Sequence, residues 1–142
     1  MLQQMAVGAA VGACNIVIHA LVMAIVLWVT RVVSAKARWH PWLFLIAVMF
    51  ATVSVLMIAH ACEVIVWSVA YAIVDAAPAG TDLVYFAFVN YTTLGYGDVV
   101  PVEDWRLLGP MTAMNGVLLF GWSTAVIFEV LRRAMIKNDI LS

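Results

Sequence analysis

Thr92-Thr93-Leu94-Gly95-Tyr96-Gly97-Asp98 alternates two glycines with residues that carry side chains, and apolar sequence lies on both sides of it. Glycine enters backbone conformations closed to L-residues, so the alternation predicts a loop whose carbonyls at Thr93, Leu94, Gly95 and Tyr96 can all face one axis. The Thr93 hydroxyl adds one more oxygen at the inner end of that row. A dehydrated cation needs a full shell of oxygens, which one chain cannot supply but several copies around an axis can. Gly-x-Gly-Asp alone would also suit a plain turn between helices. The paired threonines, and what flanks them, favour the first reading.

Upstream, Ala77-Pro78-Ala79-Gly80 reads as a turn and Thr81 or Asp82 as a helix cap. The apolar stretch from Asp82 to Thr92 is too short to cross a bilayer, which takes about 20 residues. It fits a re-entrant helix, tolerated at membrane depth where protein or a water-filled cavity encloses it. Further out lie three apolar runs, about Met5–Val33, Trp42–Val74 and Trp105–Leu131. Each is long enough to span, and the second must tilt or project. Of the 142 residues 66% are hydrophobic and 11% charged, against about 45–50% and about 25% in ordinary soluble domains. A soluble monomer is thereby excluded. A net charge of -1 with no basic stripe excludes nucleic acid as a partner. Cys14 and Cys62 sit inside apolar runs and read as small hydrophobes.

Basic residues set the expected orientation. Arg31, Lys36 and Arg38 lie between the first two runs, and Arg132, Arg133 and Lys137 follow the third. The segment between the second and third runs holds Arg106 against Asp75, Asp82, Asp98, Glu103 and Asp104. This predicts a multi-pass protein with its N-terminus outside and its C-terminus cytoplasmic, in a plasma membrane of prokaryotic inner-membrane type. Trp39 and Trp42 at one boundary and Trp105 at the other suit the interfacial aromatic belts.

The TLGYG stretch resembles the selectivity filter of the potassium channel pore-domain family, whose usual form is TVGYG. The resemblance runs from about Trp42 to Leu131: outer helix, pore helix, filter, Pro101, and an inner helix with Gly116 near its middle. It implies an all-α integral membrane fold, with three transmembrane helices, a re-entrant pore helix and the filter loop, assembled as a homotetramer in the lipid bilayer. It also implies that K+ passes as the permeant ion, with no other cofactor, over Thr93, Leu94, Gly95 and Tyr96. Thr92, Gly97 and Asp98 would support the filter, with Tyr85 and Phe86 in place of two bracing tryptophans and Val89 where some members carry glutamate. Tyr85 could donate to Asp98. Tyr96 argues against nonselective relatives with aspartate there. The expected domains are 1–40 (an additional helix and cytoplasmic loop), 41–131 (the pore module) and 132–142 (a short tail).

Thr112, Gly116, Phe120, Ser123 and Ile127 share one stripe of the third span and are expected to line the central cavity or its gate, where the negative pore-helix ends would favour a cation. Glu129 has two readings: a carboxylate paired with Arg132 or Arg133, or an acidic ring at the inner mouth. No span carries arginine at every third position, so no voltage sensor is expected, and the eleven residues after Leu131 are too few for a gating domain. On the first span Gly8, Gly12, Asn15 and His19 share a stripe whose GxxxG step suits close packing. His60, Glu63, Trp67 and Tyr71 share one on the second. His19, His60 and Glu63 are expected at similar depth as a hydrogen-bonded clamp with Glu63 near Asn90 or Tyr91, a proton sensor, or a metal site without a clear fourth ligand. A proton- or metal-coupled carrier built on those three residues, or a non-conducting regulatory subunit, are the competing functions. An enzyme is not expected, since no nucleophile-and-base pair or phosphate-cradling loop appears.

Overall fold

The computed structural model describes residues 1–36 and 40–137. The described residues form four α-helices, α1 (Leu2–Lys36), α2 (Pro41–Ile73), α3 (Leu83–Tyr91) and α4 (Leu108–Lys137), with one short 3-10 turn before the last. Three stretches, Leu2–Val32, Pro41–Ile73 and Glu103–Ile136, are long and apolar enough to cross a membrane. At about 1.5 Å per residue, the 33 residues of α2 exceed a hydrocarbon core of about 30 Å. Arg38 and Trp39, used above for orientation and the aromatic belt, lie outside the described residues.

Local signals fix the ends. Pro41 opens α2 at a position whose N–H has no helical partner anyway. Asp82 caps α3, its side chain accepting from the Val84 and Tyr85 amides at 3.0 and 3.1 Å. The third span begins at Glu103, near Trp105 as expected; α4 itself begins at Leu108, after a 3-10 turn, Glu103–Trp105, that Trp105 ends. The Trp105 amide donates to the Val102 carbonyl (2.9 Å), which closes that turn.

α1 and α3 each lie against both α2 and α4. Gly8 and Gly12 face α4, where a Cβ at Gly8 would collide with Met111 and one at Gly12 would rest on Asn115 at 3.7 Å. Two apolar clusters form the core. Met23, Val26, Phe44, Leu56, Val126 and Val130 fill one end, and Val64, Trp67, Tyr71, Phe86, Tyr91 and Leu108 fill the end beside α3. Between them along the helices sits a buried polar layer containing Asn15, His19, His60, Glu63 and Ser123. Large apolar side chains such as Leu21, Trp28, Phe50 and Met57 cover the outside, a surface suited to hydrocarbon.

Candidate functional site

α3 ends at Tyr91 and the chain then turns back on the helix it has left. The Thr93 amide donates to the Asn90 carbonyl (3.0 Å), and the Leu94 and Gly95 amides to the Val89 carbonyl (3.0 and 3.4 Å). Beyond that anchor φ is positive at Thr93 (60°), Gly95 (57°) and Gly97 (78°), with Leu94 and Tyr96 outside that set. In a regular strand successive carbonyls alternate sides. A left-handed residue at every second position departs from that alternation. Sequence reasoning assigned this freedom to the glycines alone. Thr93 joins them although a β-branched residue is strained there, held by the bonds to the end of α3.

Thr92 through Asp98 are all exposed. The far end of the loop is tied down by Tyr85, whose hydroxyl donates to the Asp98 carboxylate at 2.7 Å. That bond raises the phenol above the ordinary tyrosine pKa, so the tie is fully present below about pH 10 and is lost as pH rises through the raised value. In Tyr85→Phe the last exposed phenol to ionise in an alkaline absorbance titration should disappear, while helix content stays as in the parent; an unchanged titration would mean that Tyr85 does not face Asp98. Phe86 is buried. It is turned inward onto Tyr71, ring to ring at 5.0 Å, and Val89 is buried and serves through its carbonyl.

Most of the stripe expected to line a cavity is turned into the protein, while Phe120 stays exposed. Thr112 is fully buried against the Tyr71 hydroxyl (2.6 Å), and Gly116 lies against the Tyr91 backbone. Ser123 bonds to His60 Nε2 at 2.9 Å, Phe120 packs on the His60 ring at 4.5 Å, and Ile127 lies half-buried on the lower core. Val117, Gly121, Thr124 and Phe128 form a neighbouring exposed stripe of α4, and Met114, Leu118, Phe120, Trp122 and Ala125 are exposed beside it.

His19, His60 and Glu63 do converge. His19 Nδ1 lies 2.7 Å from Glu63 Oε1, and His60 Nδ1 lies 2.9 Å from Glu63 Oε2. The Tyr91 hydroxyl donates to Glu63 Oε2, so the carboxylate holds the last residue of α3. Ser123 Oγ also lies 3.3 Å from His19 Nε2.

A family model described as an ion channel matches residues 59–133, more than half of the chain. The chain belongs to this ion channel family. No curated protein and no solved structure matches it.

The match takes in the filter-like loop, α3, the channel's α4 as far as Arg133, and both His60 and Glu63; α1 lies outside it. His19 therefore reaches the matched region from without. Two ligands about 2.0–2.1 Å from a tetrahedral metal ion stand about 3.3 Å apart. The 2.7 and 2.9 Å separations at Glu63 are hydrogen-bond distances, and one ligand atom from each of His19, His60 and Glu63 lies within 4.8 Å of the others. Glu129 is held by its own helix, accepting from Arg132 at 2.8 Å and Arg133 at 2.5 Å, so its charge is already met.

Sequence reasoning missed a second polar group in the channel. Asn15 Nδ2 donates to the Glu63 carbonyl (3.2 Å) and to Asn115 Oδ1 (3.1 Å), which also accepts from Trp67 Nε1 (3.0 Å). Asn15 and Trp67 were on the stripes read above. Asn115 was the available signal, an amide inside an apolar span with nothing in its own helix to explain it.

Proposed function

We propose that the chain is a potassium-selective channel that works as a homotetramer, passing K+ over the carbonyls of Thr93, Leu94, Gly95 and Tyr96 and the Thr93 hydroxyl. One observation carries this reading: left-handed backbone at Thr93, Gly95 and Gly97, alternating with Leu94 and Tyr96, directly after a helix too short to span. That backbone supplies a row of oxygens in place of a hydration shell. A single row is a fraction of a cage, and copies around an axis complete it. α3 presents its C-terminal end near the same loop, where the partial negative charge of a helix end favours a cation.

Protein in liposomes under opposed potassium and sodium gradients is the test. The expected result is passive K+ flux that exceeds Na+ flux and is blocked by barium. Equal flux of the two ions would sink the selectivity claim, and no tetramer together with no flux would sink the homomeric channel.

On the same reading the ion path below the filter runs along Val117, Gly121, Thr124 and Phe128. A protein with Cys14 and Cys62 replaced by serine tests this. Thr124→Cys should react with a charged thiol reagent from the inside and lose most of its flux, whereas Leu119→Cys, on the buried face of α4, should be spared. Reaction at Leu119→Cys alone would reverse the assignment. Modification from the cytoplasmic side also tests the proposed orientation in the plasma membrane, N-terminus outside and C-terminus inside.

A further inference from the structure

We propose that His19, His60, Glu63, Tyr91 and Ser123 form a buried binding site for one proton, shared among all four helices, whose filling and emptying alters the footing of the filter.

The cluster holds fewer hydrogens than its contacts require. Six contacts link the cluster: His19 Nδ1 with Glu63 Oε1, Ser123 Oγ with both His60 Nε2 and His19 Nε2, and a triangle in which His60 Nδ1, Tyr91 Oη and Glu63 Oε2 each face the other two, His60 Nδ1 lying 2.9 Å from Tyr91 Oη. Two hydrogens serve the triangle, that of the Tyr91 hydroxyl and one on His60 Nδ1 shared between both oxygens, and each of the other three contacts needs one of its own. With Glu63 ionised, two neutral imidazoles, one phenol and one hydroxyl bring four. The cluster is one short whichever nitrogens carry the hydrogens, because moving a proton from one ring nitrogen to the other repairs one contact and breaks another. A fifth proton, making one imidazole an imidazolium, fills every contact and cancels the Glu63 charge.

Charge balance points the same way. Glu63 and His19 are completely buried, and His60 nearly so. Facing the carboxylate are His19 from α1, His60 from its own helix and Tyr91 from α3. α4 contributes the Ser123 hydroxyl and the uncharged rings of Phe120 and Trp122. Among the described residues no lysine, arginine or aspartate touches the cluster. The empty site therefore carries an unmatched negative charge in an apolar interior, and the filled one carries none.

Emptying has a defined mechanical result. Ser123 has one hydrogen to donate, and the nearer imidazole, His60, keeps it. The link that opens is Ser123 to His19, at 3.3 Å the longer of the two and the one joining α1 to α4. Glu63, with its charge unmatched, then pulls harder on its remaining donors, among them Tyr91, the residue from which the filter loop departs. The proton binds on the acid side and leaves as pH rises.

The flux readout rests on the channel reading above, so the test has a second readout that does not. Full-length protein with 15N-labelled histidine, in bilayers, is followed by solid-state NMR from about pH 5 to about pH 9, with K+ flux measured on the same preparation. At the acid end one imidazole of His19 and His60 should carry both hydrogens, losing one on the alkaline side, and flux should change by at least about fivefold at the same pH. Glu63→Gln, which removes the charge to be balanced, should abolish both steps. Ser123→Ala, which removes the oxygen between the imidazoles, should move both to lower pH, and it decides the matter if Glu63→Gln fails to fold. One hydrogen on each imidazole throughout, or variants that titrate like the parent, would overturn the site. A proton step without a flux step would overturn its coupling to the filter. Absence of flux at every pH from tetrameric protein would count against the channel reading, with the NMR titration still deciding the proton site.

Discussion

Gly116→Ala should lose at least about 3 kcal/mol of stability, the upper range for an overpacked interior. The added methyl would run into the Tyr91 carbonyl oxygen, and it would also stand 3.0 Å from the Tyr91 carbonyl carbon and 3.3 Å from its ring. A flexible side chain would swing aside. The backbone at the end of α3 cannot, since Thr93, Leu94 and Gly95 are pinned to it through their amides. α3 and α4 must separate, and the filter loop moves with α3. Gly121→Ala is the matched control, with nothing within 4 Å of its added methyl and a gain of up to about 1 kcal/mol in helix propensity. Thermal unfolding in detergent measures both. Equal melting of Gly116→Ala and the parent would mean that α4 does not approach α3 as described.

Gly95→Val should leave the fold intact and reduce K+ flux at least about 100-fold, through left-handed strain of about 1–2 kcal/mol per residue repeated in every subunit of the proposed tetramer. Space is not the obstacle, since the nearest atom to a Cβ at Gly95 is the Thr93 carbonyl oxygen at 3.9 Å. Backbone conformation is, because φ at Gly95 is 57° and valine resists that region strongly. If the loop is the ion path, relaxing the residue turns one carbonyl out of each row. Circular dichroism should match the parent while flux in liposomes falls. Unchanged flux would place the conduction path elsewhere and revive a carrier built on the buried cluster.

What the sequence made legible follows the range of the forces involved. The ends of α3 came out within a residue because their causes are local: a Pro-Gly turn, the Asp82 cap, and the threonines and glycines after it. The pairing of Tyr85 with Asp98 spans thirteen residues and was readable from the resemblance. The facing of α4 was not. An apolar helix surrounded by lipid and protein has little polar-to-apolar contrast to orient it, and Thr112 or Ser123 looks the same whether it meets a water-filled cavity or a partner side chain. Their partners, Tyr71 for Thr112 and His19 for Ser123, lie 41 and 104 residues away. The left-handed turn at Thr93 was hidden for a related reason, since its own chemistry opposes the conformation that its neighbours impose.

The long-range partners of Asn15 and His19 also bear on how the chain is made. α1 is synthesised first, yet Asn15 waits for Asn115, and His19 for Glu63 and then Ser123. From its insertion until α4 follows, α1 sits in lipid with polar groups exposed that its finished packing will cover. A nascent chain stalled before Asn115 and Ser123 thus has only Glu63 of the second helix to meet the Asn15 amide and the His19 imidazole, and its first helix is less firmly held than in the finished fold.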